Sequence, residues 1–404
     1  MLFSKSASKS HAPAHDDADD FSYVDPKACY LDAACQTLRP RPVIEAENEY
    51  YLQYNACGGR VKYRWGMTVD ERVKEARRSV LSYCNKSEKE YAVAFTLNTT
   101  YGINLVLHQL PKKTFSTIVT SEIEHNSVSL PSMTWAANRD ATRIVLARNE
   151  EGDVLYDVSD LQGAVVLLNT MSNIDGRILG NARTLITDTH AAGGIVLFDA
   201  AQGFGHAVSL LREADFDAAF GSGHKMYGPS IGFIIIKRSL LQKLDPFFIG
   251  GGTVSDAERS AFSLIGAGEE AHAILEAGLQ NWAGIIGLNA AVEWLARQHE
   301  RETRERSLAQ TLFDGLRAMP RVQLFTQHPS SIVSFHVEGI DAHSLALYLS
   351  ERDIMCRSGS FCCHAYLQHQ LGLPPLLRVS LGLYNTQAHI DHFLSSLTTI
   401  LTTL

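Results

Sequence analysis

IVLFDAAQ (Ile195–Gln202) and AAFGSGHKMYGP (Ala218–Pro229) are the two stretches on which the reading of this chain turns. In each, a short apolar run stops at a polar side chain. Phe198 gives way to Asp199, and Ala218-Ala219-Phe220 gives way to a Gly/Ser turn that ends in Lys225. A run of this length bounded by turn signals predicts a strand covered on both faces. Asp199 and Lys225 therefore stand at two strand ends about one strand–helix–strand step apart, where open α/β sheets bind ligands.

Taken singly, each residue has a plain alternative. Lys225 is also a solvated loop lysine, and Asp199 is also a cap for the helix that follows. As a pair they match what pyridoxal phosphate demands. A desolvated lysine with a flexible stem forms the Schiff base. A carboxylate at the pyridine nitrogen keeps it protonated, so that the ring draws electrons.

The same alternation continues outward. Phe115–Thr120, Arg143–Ala147, Ala164–Leu168 and Gly194–Phe198 read as buried strands, and Asp70–Asn85 reads as a helix with Val73, Ala76, Val80 and Leu81 on one face. Gly284–Glu302 is predicted as one long helix leading out of this unit. After it come strands at Val322–Phe325 and Ile332–His336, a helix at Asp341–Glu351, strands near Cys356 and at Leu377–Leu381, and a last helix at Gln387–Leu401. The expected class is α/β, a mainly parallel sheet between helices with a smaller α+β C-terminal domain. The expected division is a disordered tail at 1–20, a large domain at 21–294 whose first residues pack on the small one, and a small domain at 295–404.

The 404 residues are 45% hydrophobic and 20% charged, and Lys+Arg 36 against Asp+Glu 44 leaves a net charge of −8. No global basic field recommends a nucleic acid partner. The longest apolar run, Ile231–Ile236, ends at Lys237, far short of the roughly 18 residues of a membrane helix. Seven cysteines, an odd number in a long chain, argue against a disulfide framework and for a reducing cytoplasm. The first twenty residues lack the apolar core of a signal peptide and carry four aspartates.

Further motifs follow in order: NTTYGIN (Asn98–Asn104), SEIEHNS (Ser121–Ser127), SNIDG (Ser172–Gly176), RSGSFCCH (Arg357–His364) and LRVSL (Leu377–Leu381). With Asp199 and Lys225 they make the chain resemble the class V aminotransferase group of fold-type I pyridoxal phosphate enzymes. Within it the resemblance is to the second group of cysteine desulfurases and selenocysteine lyases, from Tyr30 to the C-terminus. It implies a phosphate site at Thr99, Thr100, Ser222 and His224, where a helix N-terminus is a ready anion site. It implies that His125 stacks on the pyridine ring, that Gln202 bonds its phenolic oxygen, and that Lys225 carries the cofactor. Asn173 contacts the substrate carboxylate, and Arg378 clamps it bidentately. Cys362 falls at the nucleophile, which attacks sulfur as a thiolate and keeps it as a persulfide.

The implied activity is removal of sulfur from L-cysteine to give L-alanine, in a cytoplasmic homodimer that serves a sulfur-acceptor protein. A C–S β-lyase, a selenocysteine lyase and a biosynthetic enzyme acting on another amino acid are the alternatives. A metal site built from Cys356, Cys362, Cys363 and His364 lacks the C-x₂₋₄-C spacing of structural zinc sites, so no metal is expected. A cofactor-less sulfur relay or metal-binding protein using Cys362, Cys363 and His364 is a third reading. Four features depart from the family pattern. Ser360 and Phe361 replace two histidines, and Cys363 adds a thiol beside the nucleophile. Leu279 stands where a threonine reaches the phosphate across the dimer. Asn98 and Tyr101 replace a glycine and an acidic residue.

Overall fold

Period-2 burial organises the larger part of the chain. The computed structural model describes residues 19–403 apart from 60, 267, 269 and 299; the expected tail lies almost wholly outside them. Seven strands form one sheet: β1 (Tyr91–Thr96), β2 (Thr117–Ser121), β3 (Thr142–Leu146), β4 (Ala164–Asn169), β5 (Ile195–Asp199), β6 (Ala218–Ser222) and β7 (Gly232–Lys237). Their order is β1-β7-β6-β5-β4-β2-β3, and only the β7 pairings, with β1 and β6, are antiparallel. Along each central strand successive side chains enter opposite layers. Val166, Leu168, Val196, Phe198 and Phe233 belong to one buried cluster, and Val165, Leu167, Leu197, Phe220 and Ile234 to the other. That is why these strands read as unbroken apolar runs.

Three expectations need correction. The run at Arg143 forms the edge strand β3, which is largely uncovered rather than buried on both faces. The helix expected at Asp70 starts six residues earlier and spans Arg64–Tyr83, so Asp70 lies in its second turn. The long helix expected over Gly284–Glu302 is two: Trp282–Arg297, packed on the helices Arg41–Gln53 and Arg64–Tyr83, and Arg301–Arg317. Strands β1 and β7 were not expected at all.

A second, antiparallel sheet is built from β8 (Val322–Leu324), β9 (Ile332–Val337), β10 (Arg357–Gly359) and β11 (Leu376–Ser380), in the order β8-β9-β11-β10. Helices Arg301–Arg317, Ala342–Ser350 and Gln387–Thr403 cover it around Leu312, Phe335, Leu349 and Phe393. Chain connectivity is not respected at this core. Cys29 and Leu31 belong to it, and Cys29–Tyr30 pairs in parallel with Ile354–Met355. The chain then crosses back toward the large sheet through Asp32–Thr37, and this crossing brings the two sheets' residues to one site. Among the described residues no helix is long and apolar enough to cross a membrane.

Candidate active site

The carboxyl ends of β1, β2, β4, β5 and β6 share one edge of the large sheet, and the candidate residues collect there. Asp199 ends β5 with 5% exposure, and its Oδ1 accepts from the Ala201 N–H at 3.0 Å. Burial raises its pKa, against the Ala201 hydrogen bond and the charge of Lys225. Lys225 closes the short 3₁₀ turn that follows β6. Burial lowers its pKa and Asp199 opposes that, while Arg378 adds to it. Gly232, where β7 begins, has no side chain, and this lets the chain at Asn98, just before the helix Thr99–Gln109, pass close by. A Cβ there would lie 2.5 Å from Cα of Asn98.

Asn98 caps the helix Thr99–Gln109 by accepting from the Tyr101 N–H. Thr99 Oγ1 lies 2.8 Å from Ser222 Oγ, which ties that helix N-terminus to the end of β6. Thr100 instead pairs its hydroxyl with Ser127 at 2.6 Å. His224 is half-buried, and its pKa is pushed down to about 4, first by burial and then by Lys225 and Arg39. Gln202 Nε2 donates to the Ala34 carbonyl at 2.7 Å, and its Oε1 is buried with no partner among the described residues.

His125 caps the helix Asn126–Arg139. Its Nδ1 accepts from the Ser127 N–H at 3.0 Å, so the neutral ring carries its proton on Nε2. Burial, Lys225 and Arg378 lower its pKa to about 3, which keeps the ring neutral at physiological pH.

Arg378, on β11, is 2% exposed. Nη1 donates to the Asn173 carbonyl at 2.9 Å, Nη2 to Asp32 Oδ1 at 3.0 Å, and Nε is buried without a partner among the described residues. Asp32 Oδ2 also accepts from Arg357 Nε at 3.0 Å, so one carboxylate spans two guanidiniums. Asp32 was not expected here, and nothing local in YLDAA marks it.

The nucleophile candidate sits on a strained turn. Phe361 and Cys362 both have left-handed backbones, with φ of 48° and 59°. Each costs on the order of 1 kcal/mol for a residue with a Cβ. Three hydrogen bonds hold the turn: Asn173 Nδ2 to the Phe361 carbonyl at 2.9 Å, the Asn126 N–H to the Cys362 carbonyl at 2.7 Å, and the Cys363 N–H to the Ser360 carbonyl at 2.8 Å. The two adjacent thiols consequently face different surroundings. Cys362 is exposed and close enough to act electrostatically on Lys225. Cys363 is buried among Ile123, Ile174 and Leu367, with Sγ 3.5 Å from Asn173 Oδ1, and burial raises its pKa. The Phe361 ring covers the Arg378 guanidinium at 4.7 Å.

A second feature lies one residue from His125. Glu124, 3% exposed, accepts from Ser121 Oγ at 2.6 Å and from Asn169 N and Nδ2, both at 2.9 Å. Arg148 Nη1 holds Asn169 Oδ1 at 2.8 Å. Burial pushes Glu124 up to about 7, against its Ser121 hydrogen bond and Arg148. All seven cysteines are free, and no group of three or more His, Cys, Asp or Glu among the described residues is gathered to hold a metal ion.

The arrangement suits an anionic, nitrogen-bearing aromatic cofactor. Hydroxyls at a helix N-terminus offer a phosphate site, and the buried Asp199 carboxylate lies within electrostatic reach of the Lys225 amine. The unpartnered Gln202 Oε1 and Arg378 Nε are polar atoms that a bound molecule would satisfy.

The family described as aminotransferase class-V matches residues 29–393. The chain is 31% identical over 372 residues to cysteine desulfurase CsdA of Escherichia coli, covering 90% of this chain and 91% of that one. It is 33% identical over 412 residues to a probable cysteine desulfurase of Pasteurella multocida, covering 98% and 93%. The crystal structure of E. coli CsdA superposes with a TM-score of 0.84 at 30% identity, covering 95% of this chain and 97% of that one.

Proposed function

Because this chain belongs to the class V aminotransferase family, we propose that it is a pyridoxal-phosphate-dependent cysteine desulfurase. It takes sulfur from L-cysteine, leaving L-alanine and a persulfide on Cys362. The observation that carries this reading is the placement of Cys362, exposed on a turn held by Asn126 and Asn173. Relatives named as cysteine desulfurases, alike over nine-tenths of the chain or more, support it.

Thr99, Thr100, Ser222 and His224 would hold the cofactor phosphate, Asp199 would pair with its pyridine nitrogen, Gln202 would bond its phenolic oxygen, and Lys225 would be the residue that carries it. When bound, the cofactor supplies an electron sink that withdraws electron density from the substrate's α-carbon. His125 stays neutral and holds a proton on Nε2 beside the ring. Burial lowers the pKa of Lys225, against the pull of Asp199, and so favours the neutral amine that a Schiff base and proton transfer require. Arg378, fixed by Asp32 and Asn173, orients the substrate carboxylate and keeps its Nε for it. Cys362 then attacks the substrate sulfur. One S–S bond forms, the carbon–sulfur bond breaks, and the released carbon takes a proton to become alanine's methyl group.

Product analysis tests this reading. Incubation of the cofactor-loaded protein with L-cysteine and a thiol reductant is expected to yield alanine in proportion to sulfide. Pyruvate and ammonia in place of alanine would make it a β-eliminating C–S lyase.

The working form is a cytoplasmic homodimer that passes sulfur to an acceptor protein. Seven free thiols suit a reducing compartment. Leu97, Phe247, Phe248, Phe262 and Leu279 are exposed, and Phe248 lies edge-on to Tyr101 beside the phosphate helix. An apolar surface of this kind next to a site suits a second copy. Sedimentation is expected to give twice the mass of the chain, and a monomer at working concentrations would discard the dimer. The division into a large domain at 21–294 and a small one at 295–404 cuts near the end of the helix Trp282–Arg297 and leaves the helix Arg301–Arg317 to the small domain.

A further inference from the structure

Residues 121–126 do two jobs within a few positions. His125 reaches the cofactor pocket, and the Asn126 N–H holds the Cys362 carbonyl at 2.7 Å. The segment contributes no regular structure between the end of β2 and the helix that begins at Asn126, so something else must fix it.

Glu124 is the side chain that does so. Its two oxygens take three donors, from Ser121 at the end of β2 and from the backbone and side chain of Asn169 at the end of β4. Asn169 Nδ2 also reaches the Ile123 carbonyl at 3.3 Å, and Arg148 holds the amide oxygen of the same side chain. Asn169 pairs in register with Asp199. One buried carboxylate thus pins the segment to the strand next to the one that carries the cofactor carboxylate.

We propose that Glu124 is a positioning residue for sulfur transfer, setting His125 and the Cys362 turn in their mutual places through Ser121 and Asn169. This rests on the desulfurase reading above. Glu124 touches neither cofactor nor substrate and acts through its neighbours. A buried polar network specifies one geometry when every member is satisfied, and small displacements of reacting groups are costly in rate.

The test uses cofactor-loaded protein and compares Glu124→Ala with Glu124→Gln. Glutamine keeps an oxygen toward the two Asn169 donors, and the Ser121 hydroxyl can turn to accept from its amide. For Glu124→Ala, kcat for alanine formation per bound cofactor is expected to fall by about thirtyfold or more. KM should stay within about threefold. Glu124→Gln is expected to recover most of that loss. If Glu124→Ala does not fold, Asn169→Ser decides. It removes the side-chain clamp and is expected to lower kcat with the same unchanged KM.

A purely structural role predicts lower yield and melting temperature with an unchanged kcat per loaded site, and that result overturns the proposal. So does a Glu124→Gln variant as impaired as Glu124→Ala. Failure of the wild-type protein to form alanine would instead remove the desulfurase reading, so the two failures are distinguishable.

Discussion

Cys362→Ser is expected to retain bound cofactor and to form alanine from L-cysteine slower by on the order of 10³-fold or more, as loss of a nucleophile does elsewhere. The structure makes this substitution clean. The three hydrogen bonds that hold the turn all engage backbone carbonyls of residues 360–362, and none uses the Cys362 sulfur. Serine therefore inherits the left-handed backbone and the exposure, and loses only the thiolate. No protein persulfide should be trapped by alkylation and mass analysis. Cys363→Ser provides the contrast, since that thiol is buried against Asn173 and faces the core. It should keep most of the rate. A Cys362→Ser enzyme that works at the wild-type rate would exclude a persulfide on this residue and put β-elimination first.

Lys225→Ala is expected to abolish turnover and the near-visible absorbance of lysine-bound cofactor. Some cofactor should remain, because Thr99, Ser222 and Asp199, on other elements, and His224, beside it in the turn, would still hold it. Asp199→Ala is expected to leave the lysine in place yet cost about a hundredfold or more in rate, the loss typical of one preorganised electrostatic partner. The absorbance spectrum and the rate of alanine formation, measured on the same samples, separate the two roles. A Lys225→Ala protein with wild-type turnover would remove the pyridoxal phosphate chemistry altogether. An unchanged rate in Asp199→Ala would reduce Asp199 to a helix cap.

Much of this was legible in the chain because it is written locally. Phe198-Asp199 and the Gly221–Lys225 turn announce strand ends, since a run of apolar side chains can stop only where the sheet's cover stops. The helix Gln387–Thr403 and strands β4 and β5 appeared within two residues of the expected ends, for the same reason. The reading went wrong where the local pattern is ambiguous. The break between Arg297 and Arg301 is invisible because no glycine or proline stands between the two helices to mark it. The edge position of β3 is invisible because edge and central strands share a composition, and only pairing tells them apart.

At the site, the residues proposed to meet cofactor and substrate were named from the sequence by type and position, but their supports were not. Asp32 and Arg378 are 346 residues apart, and no periodicity links them. They meet because Leu31 packs in the small sheet's core and Ser380 bonds back to the strand's exit. Nothing in the sequence singles out Glu124 beyond its place beside His125; only the folding of β2 against β4 buries it under Asn169. Sequence patterns record which face of an element avoids water, so they determined the strands, the helices and the residues at their ends. Which distant carboxylate meets which guanidinium, and which of two adjacent thiols faces the pocket, depends on how those faces pack, and that was decided by the tertiary structure alone.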